Sequence, residues 1–165
     1  MWFIGRLDVI KVLKNGVRHQ RLKTLLQGAN WSRADAEPLA GDASFRSYFR
    51  LIREGCTTVL MDAPPPEDVH TFIGLDRWLR DQGYSAPFIL AADECAGFLL
   101  LEDLGDDLYT RAIGAGANEE ALYSAAVDLL ADLHMRDVPP ETPLYTLETL
   151  LSECRLFIDW YAPHL

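Results

Sequence analysis

Residues 38–66 read PLAGDASFRSYFRLIREGCTTVLMDAPPP and consist of three strand-like runs separated by short turns. The glycine and small residues at 41–44, and the Glu54-Gly55 pair, favour tight turns between the runs. In the middle run side chains alternate between two faces, which puts Arg46 and Arg50 on the same face. Three prolines close the stretch, so we predict a meander of three antiparallel strands that ends there.

The flanking sequence extends this meander into a larger α+β fold. Residues 67–83 begin with two acids, carry a stripe of apolar residues and end at a glycine, as a helix does. Apolar runs at 87–93 and 97–105 predict two more strands, and the second is apolar enough to be buried on both faces. From residue 119 to residue 161 the apolar spacing is helical, interrupted by the pair Pro139-Pro140. We therefore predict an antiparallel five-stranded sheet with one inserted helix, followed by further helices.

Composition and charge narrow the class of protein. The chain has 165 residues, of which 49% are hydrophobic and 24% charged, and its formal net charge is −10. Without a basic block, such a chain is not expected to bind nucleic acid. Charges at Arg6 and Asp8 interrupt the apolar start, so neither a signal peptide nor a membrane span is expected. Three cysteines that are far apart favour a reduced, cytoplasmic protein.

Three local features have both a nucleotide-binding interpretation and an ordinary structural one. The turn Gly41–Ser44 suits close approach to phosphates, but it equally suits a plain hairpin. The run Leu99–Gly105 places a buried strand before an acidic connector, where an adenine can meet backbone groups, or it is a core strand leaving the sheet. Arg46 and Arg50 suit phosphate or carboxylate binding, or they are solvated surface residues. The four histidines form no metal-binding or triad motif.

Five motifs, in this order along the chain, resemble those of the aminoglycoside phosphotransferase family of kinase-like enzymes: AGDASFRSYFRL, VLMDAPP, GFLLLEDLGDDL, LLADLH and FIDWY. The likeness is greatest to the family's bacterial N-acetylmuramate/N-acetylglucosamine anomeric sugar kinases, and it covers the N-terminal half of such a protein. It implies a protein-kinase-like N-lobe and the first helices of a truncated helical C-lobe. The domains implied are an N-terminal extension at 1–27, the N-lobe at 28–104, and a hinge connector with a partial C-lobe at 105–165.

The resemblance also implies ATP and Mg²⁺ as cofactors of the full-length family, and it assigns nucleotide-binding residues. The phosphate-covering hairpin is matched by Gly41, Asp42, Ala43 and Ser44, and the hinge strand that lines the adenine pocket by Leu101, Glu102, Asp103 and Leu104. Where the family usually has a lysine that reaches the nucleotide phosphates, this chain has Met61. Because M-D-A-P is a variant of the sugar-kinase branch, this departure need not mean inactivity. One hypothesis is that Arg46 or Arg50 supplies the missing positive charge.

The resemblance implies one function for the chain, and one alternative function is kept beside it. It implies an ATP-dependent phosphotransferase that acts on an amino-sugar hydroxyl, with ATP and the sugar as partners. The family's H-G-D-x-x-x-x-N-like catalytic loop is not found in this sequence, so we assign no catalytic residue and no metal ligand. The alternative is a catalytically silent fragment that at most binds a nucleotide or a partner protein. We expect the apolar helix faces around Leu129 and Phe157 to pack against the missing C-lobe or a second copy.

Overall fold

Six antiparallel strands form one sheet in the computed structural model, which describes residues 7–8, 16–39, 44–139 and 142–164. The strands are β1 (Leu7–Asp8), β2 (Asp35–Pro38), β3 (Ser47–Arg53), β4 (Cys56–Asp62), β5 (Ile89–Asp93) and β6 (Phe98–Leu101), and their order is β1-β2-β3-β4-β6-β5. The predicted α+β fold and its five-stranded antiparallel sheet are confirmed. The two-residue strand β1 pairs with β2 and adds a sixth strand at the edge.

The described residues also form five α-helices: α1 (Val17–Gly28), α2 (Val69–Asp81), α3 (Tyr109–Gly114), α4 (Glu119–His134) and α5 (Leu147–Leu156). The inserted helix is α2, between β4 and β5. It begins after Asp68, whose carboxylate accepts the His70 N–H at 2.9 Å, and this N-terminal cap satisfies a backbone donor that the helix leaves unpaired. A π-helical turn, Phe157–Tyr161, and a 3₁₀ turn, Ala162–His164, follow α5.

The sheet is covered on both faces, by α1 on one and by α2 on the other. Successive strand residues face opposite sides, so Leu60 and its neighbour Met61 belong to different apolar clusters. The α1 side contains Leu22 and Leu26 packed with Leu51, Leu60, Phe98 and Leu100. The α2 side contains Val69 and Ile73 packed with Met61, Ala63, Leu99 and Leu101. Helix coverage of both faces explains why every residue of β6 is buried.

A glycine is required where the chain enters β6. Gly97 has φ +72°, and a Cβ placed there would lie 2.0 Å from the Ala63 carbonyl oxygen. The close approach allows the Ala63 N–H to donate to the Gly97 carbonyl at 2.8 Å, which continues the pairing of β4 with β6 beyond Asp62. Only glycine combines this backbone conformation with this contact.

The chain divides into two compact units, Met1–Val127 and Asp128–Leu165. The boundaries predicted at 27/28 and 104/105 stay predictions, although α1 contributes two buried leucines to the core of the sheet. In the second unit Leu129 is 51% exposed and Phe157 58% exposed, and α5 has no buried residue. Within the described ranges, no helix is long and apolar enough to cross a membrane.

Candidate functional site

A cavity of about 330 Å³ opens on the α2 side of the sheet, where β6 ends. It is lined by Leu39, Tyr48, Arg50, Val59, Phe72 and Pro87, and by the six consecutive residues from Leu101 to Asp106. Four elements therefore contribute to it, the strands β3, β4 and β6 and the helix α2, and Leu39 follows the end of β2. The segment Glu102–Asp106, which we call the connector, forms its edge.

The inner wall of the cavity is apolar because alternate strand residues face this side. Tyr48 on β3 and Val59 on β4 pack against the cluster that contains Met61 and Leu101. Phe72 of α2 packs against the same cluster. The wall is thus continuous with the buried core, and its side chains are held by packing on their far side. A flat apolar group could lie against it without rearrangement of the sheet.

The connector begins with two hydrogen bonds to the residue that precedes β5. The Glu102 N–H donates to the Phe88 carbonyl at 2.7 Å, and the Glu102 carboxylate accepts the Phe88 N–H at 3.0 Å. Leu104, two residues on, lies outside every strand and helix. No group in the described part of the chain accepts the Leu104 N–H. Leu104 also lines the cavity, so this donor lies at the cavity edge and is unpaired among the described residues.

Arg50 joins strand β3 to the connector through two carboxylates. Its Nε and Nη2 donate to Asp103 at 2.7 and 3.0 Å, and its Nη1 and Nη2 donate to Asp106 at 2.9 and 3.0 Å. These hydrogen bonds, first those with Asp103, raise the pKa of the Arg50 guanidinium. They lower the pKa of both carboxyls, and the Gly105 N–H adds to the effect at Asp103.

Arg46 has a different partner, at the base of the predicted phosphate-covering hairpin. Its Nε donates to Glu67 at 2.8 Å, and the Phe45 N–H donates to the other oxygen of the same carboxylate at 3.1 Å. Partial burial disfavours the charged guanidinium, but hydrogen bonds to Glu67 and Tyr48 outweigh this and raise the pKa of Arg46. The Ser44 hydroxyl accepts the Arg46 N–H at 3.1 Å. The carboxylate of Glu67 therefore holds the end of the hairpin beside the start of α2.

The structure brings only some of the predicted site residues together. Leu101, Glu102, Asp103, Leu104 and Arg50 line the cavity. Ser44 and Arg46 are described but do not line it, and Gly41, Asp42 and Ala43 lie outside the described residues. Met61 is fully buried in the core cluster between the sheet and α2. That these residues bind a nucleotide stays a prediction.

Sequence reasoning missed several residues that the structure places at the site. Leu39, Val59, Phe72 and Pro87 line the cavity, and Glu67 binds the base of the hairpin. Strand alternation was a usable signal for Val59, because it lies two residues before Met61 and therefore on the same face. No local signal indicated Glu67, since its partners are 21 and 22 residues away.

The described residues contain no group of three or more histidine, cysteine, aspartate or glutamate side chains placed to hold a metal ion. Of the acids that line the cavity, Asp103 and Asp106 are bound by Arg50, and the Glu102 carboxylate accepts the Phe88 N–H.

Comparison with known proteins shows which family the chain belongs to. The model of a family described as "Phosphotransferase enzyme family" matches residues 35–165. The N-acetylmuramate/N-acetylglucosamine kinase of Caulobacter vibrioides is 37% identical, and the match covers 75% of this chain and 44% of that protein. The kinase of the same name from Pseudomonas aeruginosa is 42% identical over 134 residues, covering 80% and 39%. That from Pseudomonas putida is 36% identical, covering 87% and 43%. The chain spans less than half the length of each of these relatives.

Proposed function

Because this chain belongs to the phosphotransferase enzyme family, we propose that it binds ATP in the cavity at the end of β6, as the nucleotide-binding part of an ATP-dependent kinase. The acceptor that we propose is the hydroxyl of an amino sugar such as N-acetylmuramate or N-acetylglucosamine. The names of its relatives support this acceptor. No residue of the chain is assigned to the sugar.

The observation that carries the proposal is the pairing of an apolar cavity with an available backbone donor at its edge. Adenine has two apolar faces and an edge of hydrogen-bonding groups. Val59 and Leu101 offer apolar surface for the faces, and the Leu104 N–H offers a donor to the edge. A volume of about 330 Å³ lies at the lower end of the range for small-molecule sites, which suits a purine ring better than a larger ligand.

The phosphates would leave the cavity toward the hairpin that precedes β3. We propose that Gly41–Ser44 covers them, with backbone N–H groups as donors. The hydrogen bonds from Phe45 and Arg46 to Glu67 support this role, because they hold the end of the hairpin in place. Magnesium, when bound with ATP, would neutralise charge on the phosphates, and we assign it no ligand in this chain. The chain's own contribution to transfer is to position the nucleotide.

A binding-only role is the second candidate. The observation that favours it is the lack of an H-G-D-x-x-x-x-N-like motif in the 165 residues. A base aspartate near the attacking hydroxyl is needed for efficient phosphoryl transfer. On this candidate the chain binds ATP in the same cavity without turnover, so the two functions share a binding site and differ in activity.

Calorimetric titration of ATP into the purified chain tests the binding site. Val59→Trp places an indole in the cavity and is expected to weaken ATP binding by at least tenfold, or about 1.4 kcal/mol. Cys56→Trp is the matched control, since Cys56 is exposed on the same strand and lies outside the cavity. Equal ATP affinity for Val59→Trp and the unmodified chain would refute this site.

An ADP-release assay separates the two candidate functions. The chain is incubated with ATP, Mg²⁺ and either N-acetylmuramate or N-acetylglucosamine. Sugar-dependent ADP release that Val59→Trp abolishes supports the kinase function, whereas ATP binding without release supports the binding-only role. Release that both tryptophan variants retain in full would show that catalysis does not use this cavity.

A further inference from the structure

Both edges of the Arg50 guanidinium are occupied by side chains of the connector. The edge formed by Nε and Nη2 binds Asp103, and the edge formed by Nη1 and Nη2 binds Asp106. Bidentate pairing of this kind is the geometry that guanidinium also uses to bind phosphate. An incoming phosphate would have to displace a carboxylate that is already hydrogen-bonded in the same way. Arg50 is therefore poorly placed to supply a positive charge to ATP.

The connector is attached at two points on either side of the available donor. At its start, Glu102 is bound to Phe88 by two hydrogen bonds. Asp103 and Asp106, which stand on either side of Leu104 in the chain, are both bound to Arg50, and the Asp103 carboxylate also accepts the Gly105 N–H at 3.0 Å. The Leu104 N–H lies between these attachments. Its position relative to the apolar wall thus depends on both of them.

We infer that Arg50 is a positioning residue for the nucleotide base: it ties the connector to β3, which holds the Leu104 N–H at the edge of the cavity. This inference deepens the proposed function and rests on it. Arg50 acts through the connector and does not touch the phosphates. The side chain suits the role because it is only 17% exposed and the Asp103 side chain only 7% exposed, so water competes weakly for the pair.

The alternative, in which Arg50 binds the phosphates of ATP, predicts different effects of the same substitutions. If Arg50 positions the connector, Arg50→Met weakens adenosine and ATP binding equally, because both ligands have the base. If Arg50 binds phosphate, adenosine affinity is unchanged and only ATP affinity falls. Asp103→Asn gives opposite signs: it weakens ATP binding if the connector is held by this pair, and strengthens it if Asp103 competes with phosphate for Arg50.

The experiment is calorimetric titration of adenosine and of ATP into the chain and its Arg50→Met and Asp103→Asn variants. We expect about a tenfold rise in Kd for both ligands in both variants, as when the binding-competent connector falls to about a tenth of the population. Arg53→Met, on the same strand and outside the cavity, is the matched control and is expected to bind both ligands normally. Loss of ATP binding alone, or tighter ATP binding by Asp103→Asn, would overturn the inference.

Hydrogen exchange of the connector amides without nucleotide provides a readout that does not require binding. Arg50→Met is expected to speed exchange of the Gly105 amide, which donates to the Asp103 carboxylate, while amides of α1 and β4 stay protected, which also shows that the variant is folded. Unchanged connector exchange would refute the inference even if ATP binds. If the unmodified chain binds neither adenosine nor ATP, the proposed function fails, and exchange still decides whether Arg50 holds the connector.

Discussion

Replacement of Arg18 by methionine tests how α1 is attached to the sheet. The Arg18 Nη2 donates to the Asp62 carboxylate at 2.5 Å and to the Ala96 carbonyl at 2.8 Å, and its Nε donates to the same carbonyl at 3.1 Å. Its guanidinium carbon also lies 4.5 Å from the centroid of the Phe98 ring. One side chain therefore connects α1 to the end of β4, to the β5–β6 turn and to β6.

The expected loss of stability in Arg18→Met follows from how deeply the Arg18–Asp62 pair is buried. The Asp62 side chain is 9% exposed and the Arg18 side chain 32% exposed. Loss of one partner of a fully buried pair destabilises a protein by about 3–5 kcal/mol, because it leaves an unpaired charge. Water reaches one third of the Arg18 side chain, so we expect a loss of about 2 kcal/mol in the free energy of unfolding, below the range for a fully buried pair. Methionine keeps most of the apolar contact with Phe98.

Urea unfolding followed by circular dichroism measures this loss. Arg21→Met is the matched control on the same helix: its pair with Asp93 is more exposed, at 45% and 15% of the two side chains, so its loss should be smaller. Arg18→Met combined with Asp62→Asn should recover part of the stability, because the asparagine leaves no buried charge. Equal losses for Arg18→Met and Arg21→Met, or a loss below about 0.5 kcal/mol for the first, would contradict the reasoning.

Two further predictions concern the burial of Met61 in the core and the loss of stability at low pH. Met61→Lys, which introduces the lysine usual in the family, should lower the free energy of unfolding by at least about 3 kcal/mol, because Met61 is fully buried among apolar groups. Met61→Leu, the control, should lower it by less than about 1.5 kcal/mol. Similar thermal melting of the two variants would disprove this. The guanidinium beside Asp103 lowers the pKa of that carboxyl below its ordinary value, so its stabilisation is present above that value, about 3.9, and is lost as pH falls below it. The free energy of unfolding should therefore decrease from about pH 4 to pH 2, less steeply in Asp103→Asn, and an unchanged slope in that variant would argue against the pair.

Much of the fold could be predicted from the sequence because strands, turns and helix ends are encoded locally. Alternation of side chains in residues 45–53 predicted that Tyr48 and Arg50 lie on the same face of β3. Both residues line the cavity on the α2 side of the sheet, which confirms the alternation. Glycine and proline marked where strands and helices end. The five ordered motifs indicated the family, and the family match over residues 35–165 confirms it.

The packing of α1 against the sheet could not be predicted from the sequence pattern of residues 17–28. The sequence did not predict that the α1 residues Leu22 and Leu26 would cover one face of the sheet. Which face a helix covers depends on the path of the chain between the elements, and a one-dimensional pattern does not contain that path. The assignment of residues 1–27 to an extension followed from the limits of the motif resemblance, and packing against the sheet was invisible at that stage.

The partners of the charged residues were decided by the tertiary structure alone. Arg50 and Asp103 are 53 residues apart, and Arg18 and Asp62 are 44 apart. The sequence determined that these charges exist, and strand alternation placed Arg50 on one face of β3. Only the folded chain determined that the two arginines bind carboxylates, because ion pairing depends on distances of a few ångströms between elements that are remote in sequence. For the same reason, the sequence identified Met61 as a departure from the usual lysine, whereas its burial in the core became visible only in the packed structure.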